Sequence, residues 1–161
     1  MKKFLFYLIE FTWALPQNLI GFVGYLALSR NHKHERFHNA FITYVSKKNF
    51  GGVSFGIFIF MNPDKKEDWL HDTKIHEYGH TIQSLFLGPI WLLIIALPSV
   101  IWCGVPAFDK YRKEKNVSYY WLYCEGWANL WGRTWSKEDF ISEEMINRGR
   151  FGKPLEKIKV K

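Results

Sequence analysis

The sequence predicts a mainly helical α+β protein: a membrane-associated helical bundle with a small β-hairpin, built as one domain over residues 1–161. Three observations lead there. The run from Thr81 to Phe108 contains no Asp, Glu, Lys or Arg. Aromatic residues make up 19% of the chain and hydrophobic ones 48%, and membrane contact accounts for that load better than a soluble core of this size does. Between residues 41 and 61 the pattern changes to short β-rich runs punctuated by glycine.

Residues 4–28 are long enough for a membrane helix, given about 20 residues per crossing. Glu10, Pro16, Gln17 and Asn18 interrupt the apolar pattern, so a kink or break near Pro16 is expected, with the polar residues turned toward protein. Residues 30–38, RNHKHERFH, read as a basic surface loop. FITYV and VSFGIFIFM, joined by SKKNFGG, read as the two strands of a hairpin over 41–61. A charged start then leads into a helix over 69–87, with Gly88 as its cap and Pro89 opening an apolar membrane segment over 89–106. A charged exit and an aromatic helix over 117–135 follow, and a polar, basic tail over 136–161 ends the chain.

The chemistry sits in the 69–87 helix, which carries His76-Glu77-Tyr78-Gly79-His80. Residues four apart share a helical face, so both imidazoles can reach one Zn²⁺. Glu77, next to the first histidine, is placed to act as a base. Such a site needs a third protein ligand. Asp109, Glu114, Glu138, Asp139, Glu143 and Glu144 lie in charge-rich segments that read as solvated surface. Glu125 instead interrupts an aromatic run, where an unpaired buried carboxylate would be costly, so it is the expected third ligand. Asn129, four residues on, is a candidate acceptor for a ligand histidine, and Gly126 and Ala128 are small enough to let two helices meet closely. Asp72 reads as a helix-start residue or a second such acceptor. His32, His34 and His38 read as surface residues. Tyr78, Tyr119, Tyr120 and Tyr123 read mostly as packing aromatics, one of which could donate to an oxyanion.

HEYGHTIQS, then LGPI and LPS, then EGWAN resembles the gluzincin class of zinc metallopeptidases, and more narrowly small bacterial membrane proteins of the HExxH type. The likeness covers mainly residues 73–99 and 119–130. It implies His76, His80 and Glu125 as zinc ligands, Glu77 as catalytic base, and an edge strand near residues 52–60 along which an extended peptide pairs. The chain lacks the long domains that build the clefts of larger gluzincins, and it lacks the later Asp motif of site-2-type proteases.

The expected function is therefore a membrane-embedded zinc metallopeptidase with a peptide or protein substrate, held in a bacterial cytoplasmic membrane. The alternative is a non-catalytic membrane protein with a structural or relic zinc site. A net charge of +7 without any nucleic-acid-binding motif points to membrane lipid rather than nucleic acid as the anionic partner.

Overall fold

In a computed structural model, residues 3–147 are described. They form seven α-helices and one four-stranded sheet: α1 Lys3–Glu10, α2 Leu15–Leu28, β1 His34–Phe37, β2 Ala40–Tyr44, β3 Gly52–Phe55, β4 Phe58–Met61, α3 Glu67–Leu87, α4 Leu97–Gly104, α5 Pro106–Lys115, α6 Tyr123–Ser136 and α7 Glu143–Asn147. The α+β class is as expected.

The break expected near Pro16 is present and divides residues 4–28 into two helices, α1 and α2. Pro16 removes a backbone donor at the start of α2, and the side chain of Asn18 donates to the carbonyls of Glu10 and Ala14, both at 2.9 Å, which holds the break open. At 14 residues, α2 is about 21 Å long, short of a hydrocarbon core of about 30 Å. The interrupting polar residues turn inward: Glu10, Gln17 and Asn18 are all fully buried.

The hairpin expected over 41–61 is replaced by a mixed sheet in the order β1-β2-β4-β3, with β2 parallel to β4 and the other pairs antiparallel. VSFGIFIFM is not one strand. It folds back on itself at Gly56, whose φ of +60° suits a tight turn and where a Cβ would strike the side chain of Asn18. Phe58–Met61 is buried throughout, the mark of a central strand covered on both faces, so the chain leaves β2, crosses to the far edge and returns through the middle. The expected loop over 30–38 contains β1, an edge strand whose charged side chains disguise it.

Helix α3 starts with Glu67 and Asp68 at the positive end of its dipole, two residues before the expected start. It lies across the sheet, packing Tyr78, Ile82 and Leu85 on Ile42, Ile57, Ile59 and Met61. Its other side meets α6 at unusually close range. A Cβ on Gly79 would lie 1.9 Å from the carbonyl oxygen of Ala128, and one on Gly132 would lie 2.0 Å from that of Ile75. The two backbones therefore touch.

After Gly88 the expected apolar segment over 89–106 runs through a 3₁₀ turn, Gly88–Ile90, and a π turn, Leu92–Ala96, into α4. The stretches Glu67–Ile90 and Leu92–Gly104 are bent by 118° to each other, and no single helix among the described residues is long and apolar enough to cross a membrane. The helix expected over 117–135 is divided as well. Tyr119–Trp121 forms a 3₁₀ turn, Leu122 is extended, and α6 begins at Tyr123. The expected tail from 136 begins with an ordered return over α3 and ends, within the described residues, in α7. Its remainder, 148–161, lies outside them.

Candidate metal centre

His76 and His80 project from one face of α3, and Glu125 meets them from the first turn of α6. One ligand atom from each lies within 4.8 Å of the others, and all three residues are buried. Among the described residues no second such group occurs. His32, His34 and His38 do not converge: His34 bonds Thr43, and His38 pairs with Glu138.

The hydrogen bonds around the histidines decide which nitrogen faces inward. Gln83 donates from Nε2 to the carbonyl of Cys124 at 2.9 Å, so its Oε1, 2.7 Å from His80 Nδ1, must accept. Asn129 Oδ1 lies 2.6 Å from Nδ1 of His76 and accepts there. Each ring thus spends its Nδ1 proton on a neutral amide, and each Nε2 points at Glu125. The Nε2 atoms of His76 and His80 lie 3.1 and 3.5 Å from Glu125 Oε2. Yet Oε2 has no aligned hydrogen bond. Tetrahedral coordination at about 2.0–2.1 Å puts neighbouring ligand atoms about 3.3 Å apart. The two observed spacings to Glu125 bracket that value, and with all three ligand atoms within 4.8 Å of one another the group could hold a metal ion.

Electrostatics agree. Burial alone would raise the pKa of Glu125, but His76 and His80 beside it overrule burial and hold the carboxyl well below the usual range. Burial would likewise lower His80, but Glu125 outweighs it and pushes the imidazole up to about 9. A metal ion and that proton compete for the same Nε2 lone pair, so binding would release the proton.

Glu77 lines the same cleft. Burial raises its pKa, opposed chiefly by His76 and His80. Its Oε2 has no hydrogen-bond partner. Its Oε1 lies 2.7 Å from where a Cβ on Gly52 would stand, so the glycine leaves room for the carboxylate under β3. Strand β3 is the edge of the sheet opposite β1. Because Asn62 N–H donates to the Gly51 carbonyl at 2.9 Å, antiparallel alternation turns the main chain of Val53 and Phe55 toward β4. The backbone groups of Gly52 and Ser54 are left facing outward, over Glu77.

Asp72 does not orient a ligand. Both its oxygens accept backbone N–H groups of the return segment, Ile141 at 2.7 Å and Ser142 at 2.8 Å. It lies one turn before His76 on the same face of α3, but its carboxylate is spent on that segment. The tyrosines separate by role. Tyr119 lines the cleft, Tyr120 packs edge-on against His76 with ring centres 5.3 Å apart, Tyr123 donates to the Ile94 carbonyl, and Tyr78 is packed under the sheet. Sequence reasoning missed Gln83. Its signal was a polar side chain one turn after His80 in a stretch without charges. It also missed the Gly79–Gly132 contact, of which the sequence shows only isolated glycines.

Comparison with known protein families finds no match for the chain, and comparisons with curated proteins and with solved structures find none either.

Proposed function

We propose that the chain is a membrane-associated, zinc-dependent metallopeptidase. The observation that carries this reading is one constellation: His76, His80 and Glu125 converge while Glu77 shares their cleft under the outward-facing edge of β3. A structural site would have no use for the fourth of these residues.

Zinc held by His76, His80 and Glu125 would supply Lewis acidity and lower the pKa of water toward about 7. The chain's own groups do the rest. Main-chain groups of Gly52 and Ser54 pair with the peptide and hold it extended across the cleft. Glu77 accepts the proton of the attacking water at its carboxylate, and the hydroxyl joins the scissile carbonyl carbon. Glu77 then returns the proton to the leaving nitrogen as the C–N bond breaks. One water is consumed, and one acid and one amine appear. Asn129 and Gln83 keep both imidazoles in the tautomer the site needs.

The membrane reading is supported by the surface. Leu93 is 67% exposed, Val100 64% and Val23 60%, and they stand among other exposed apolar residues of α1, α2, α4 and the π turn. A soluble monomer rarely exposes so many large apolar side chains. We read it as the face that sits in lipid. The protein should stay in the membrane pellet through a carbonate wash, and release by high salt alone would overturn that part.

The test of the peptidase reading is elemental analysis of detergent-purified protein beside a cleavage assay. The wild type should carry zinc near one per chain and cleave peptide. Glu77→Gln should keep the zinc and lose cleavage. A wild type without zinc, or cleavage that survives Glu77→Gln, would overturn it.

A further inference from the structure

We infer that the substrate is an extended, uncharged apolar segment of a membrane protein, admitted from the lipid side between β3 and α4. This rests on the peptidase reading and names its substrate class.

The lining of the cleft carries the argument. One wall is β3, with Val53 and Phe55. The other is the bent segment after α3, with Trp91, Ile95, Ala96 and Val100. Among the described residues, carboxylates line the cleft at only two places, Glu77 and Glu125, and both are committed to the centre. Among the described residues no Lys or Arg lines it, in a chain whose net charge is +7. Away from the two histidines and the ion they would hold, a substrate carboxylate would find no cation there. A substrate cation would have to take Glu77 or Glu125 away from its task. Either would be buried unpaired, at a cost of several kcal/mol on the order-of-magnitude scale for such groups. The same lack of a partner for a chain terminus selects an internal peptide bond.

The mouth tells where the segment comes from. Val100 lines the cleft and is also largely exposed, and its exposed neighbours Leu97 and Ile101 are apolar. The opening therefore lies within the apolar face, not on the charged side of the molecule. The wall is one helix thick: Ile95 is fully buried, while Leu93, two residues before it, is exposed to the outside. A peptide reaching Glu77 past Val100 passes from lipid to the site without crossing a charged rim. The four residues of β3 span about 13 Å, enough to pair with a short extended stretch.

The experiment uses Glu77→Gln in phosphatidylcholine nanodiscs and two fluorescent peptides of equal length, blocked at both ends. One is built from Leu, Val, Ala and Ser, and the other has Lys and Glu at alternate positions. Fluorescence anisotropy should show the apolar peptide binding more than about tenfold tighter than the charged one, after subtraction of empty nanodiscs. Val100→Lys should cut apolar binding about tenfold while zinc content stays at one per chain. Val53→Lys, on the opposite rim, gives the same reading if Val100→Lys loses its hold on lipid. Equal binding of the two peptides, or no change in both rim variants, overturns the inference. The two readings fail separately. A wild type without zinc sinks the peptidase, whereas a zinc-loaded wild type that cleaves the charged peptide as fast as the apolar one sinks only this substrate class.

Discussion

Glu125 and Glu10 are both fully buried carboxyl groups, and they meet opposite surroundings. Glu125 faces two imidazoles and stays ionised. Glu10 meets only neutral donors. Its Oε2 accepts from Asn18 at 2.6 Å and from Ser84 at 3.3 Å, and its Oε1 has no partner. Burial dominates there and raises its pKa to about 7. The proton belongs on the unpartnered Oε1, which leaves Oε2 as the acceptor. Gln17 extends the cluster by donating to Ser84 and to the Gly88 carbonyl, both at 2.9 Å. The comparison teaches that burial does not decide the charge of a carboxyl group; its partners do. One cluster could hold a metal ion, and the other is a clamp built on neutral donors that ties the break between α1 and α2 to the end of α3.

The largest effect should come from the contact that brings α6 to α3. Gly79→Ala places a methyl on the backbone of Ala128, which no rotamer can relieve. It should destabilise the protein by about 3 kcal/mol or more and abolish zinc binding, read by thermal unfolding and metal content. Normal zinc content in a folded Gly79→Ala would show that the centre does not depend on that contact.

Glu125→Gln removes the charge between the two imidazoles and should weaken zinc by more than about a hundredfold, beyond what loss of an outer partner costs. Glu10→Gln, an equal change at the clamp, should leave zinc affinity within about threefold. Competition with a fluorescent chelator measures both. Similar losses in the two variants would erase the distinction between ligand and clamp.

The clamp has its own signature in pH. Its folded-state value, about 7, lies above the ordinary 4.5, so the folded chain holds this proton longer than the unfolded chain does. The stability it contributes is fully present below about pH 4.5 and is lost as pH rises through about 7, on the order of 3 kcal/mol. Glu10→Gln should remove that decline in denaturant titrations made between these limits. A decline of unchanged size would move its origin elsewhere.

The smallest effect tests the amides. Asn129→Ala should weaken zinc by about 10–100-fold, because His76 would lose the acceptor at its Nδ1. Asp72→Asn touches no ligand and should leave affinity unchanged while loosening the return segment held at Ile141 and Ser142.

Much of the centre could be read along the chain because its logic is local. His76, Glu77 and His80 follow from helical spacing, and Asn129 follows Glu125 by one turn. Glu125 stood out because a lone carboxylate in an aromatic run must be compensated by something. The burial of Glu10, Gln17 and Asn18 followed from the same rule. What local rules could not supply were the partners. Asp72 had two candidate roles, and only the path of residues 137–142 over α3 assigned it to backbone amides. Gln83 was one polar residue among several until the Cys124 carbonyl fixed which end of its amide faces His80.

The sequence by itself determined the helix that carries the motif, its glycine stop, the α+β class and the residues whose charge had to be answered. These depend on neighbours within a few positions. Tertiary structure alone decided that β2 pairs parallel with β4 and that residues 34–37 form a strand. It also decided that α3 and α6 meet backbone to backbone, which brings Asn129 to a histidine 53 positions away. Periodicity says which face of an element is apolar. It does not say which other face will cover it, because that choice is made by the fit of whole surfaces, and here by two glycines that let two helices touch.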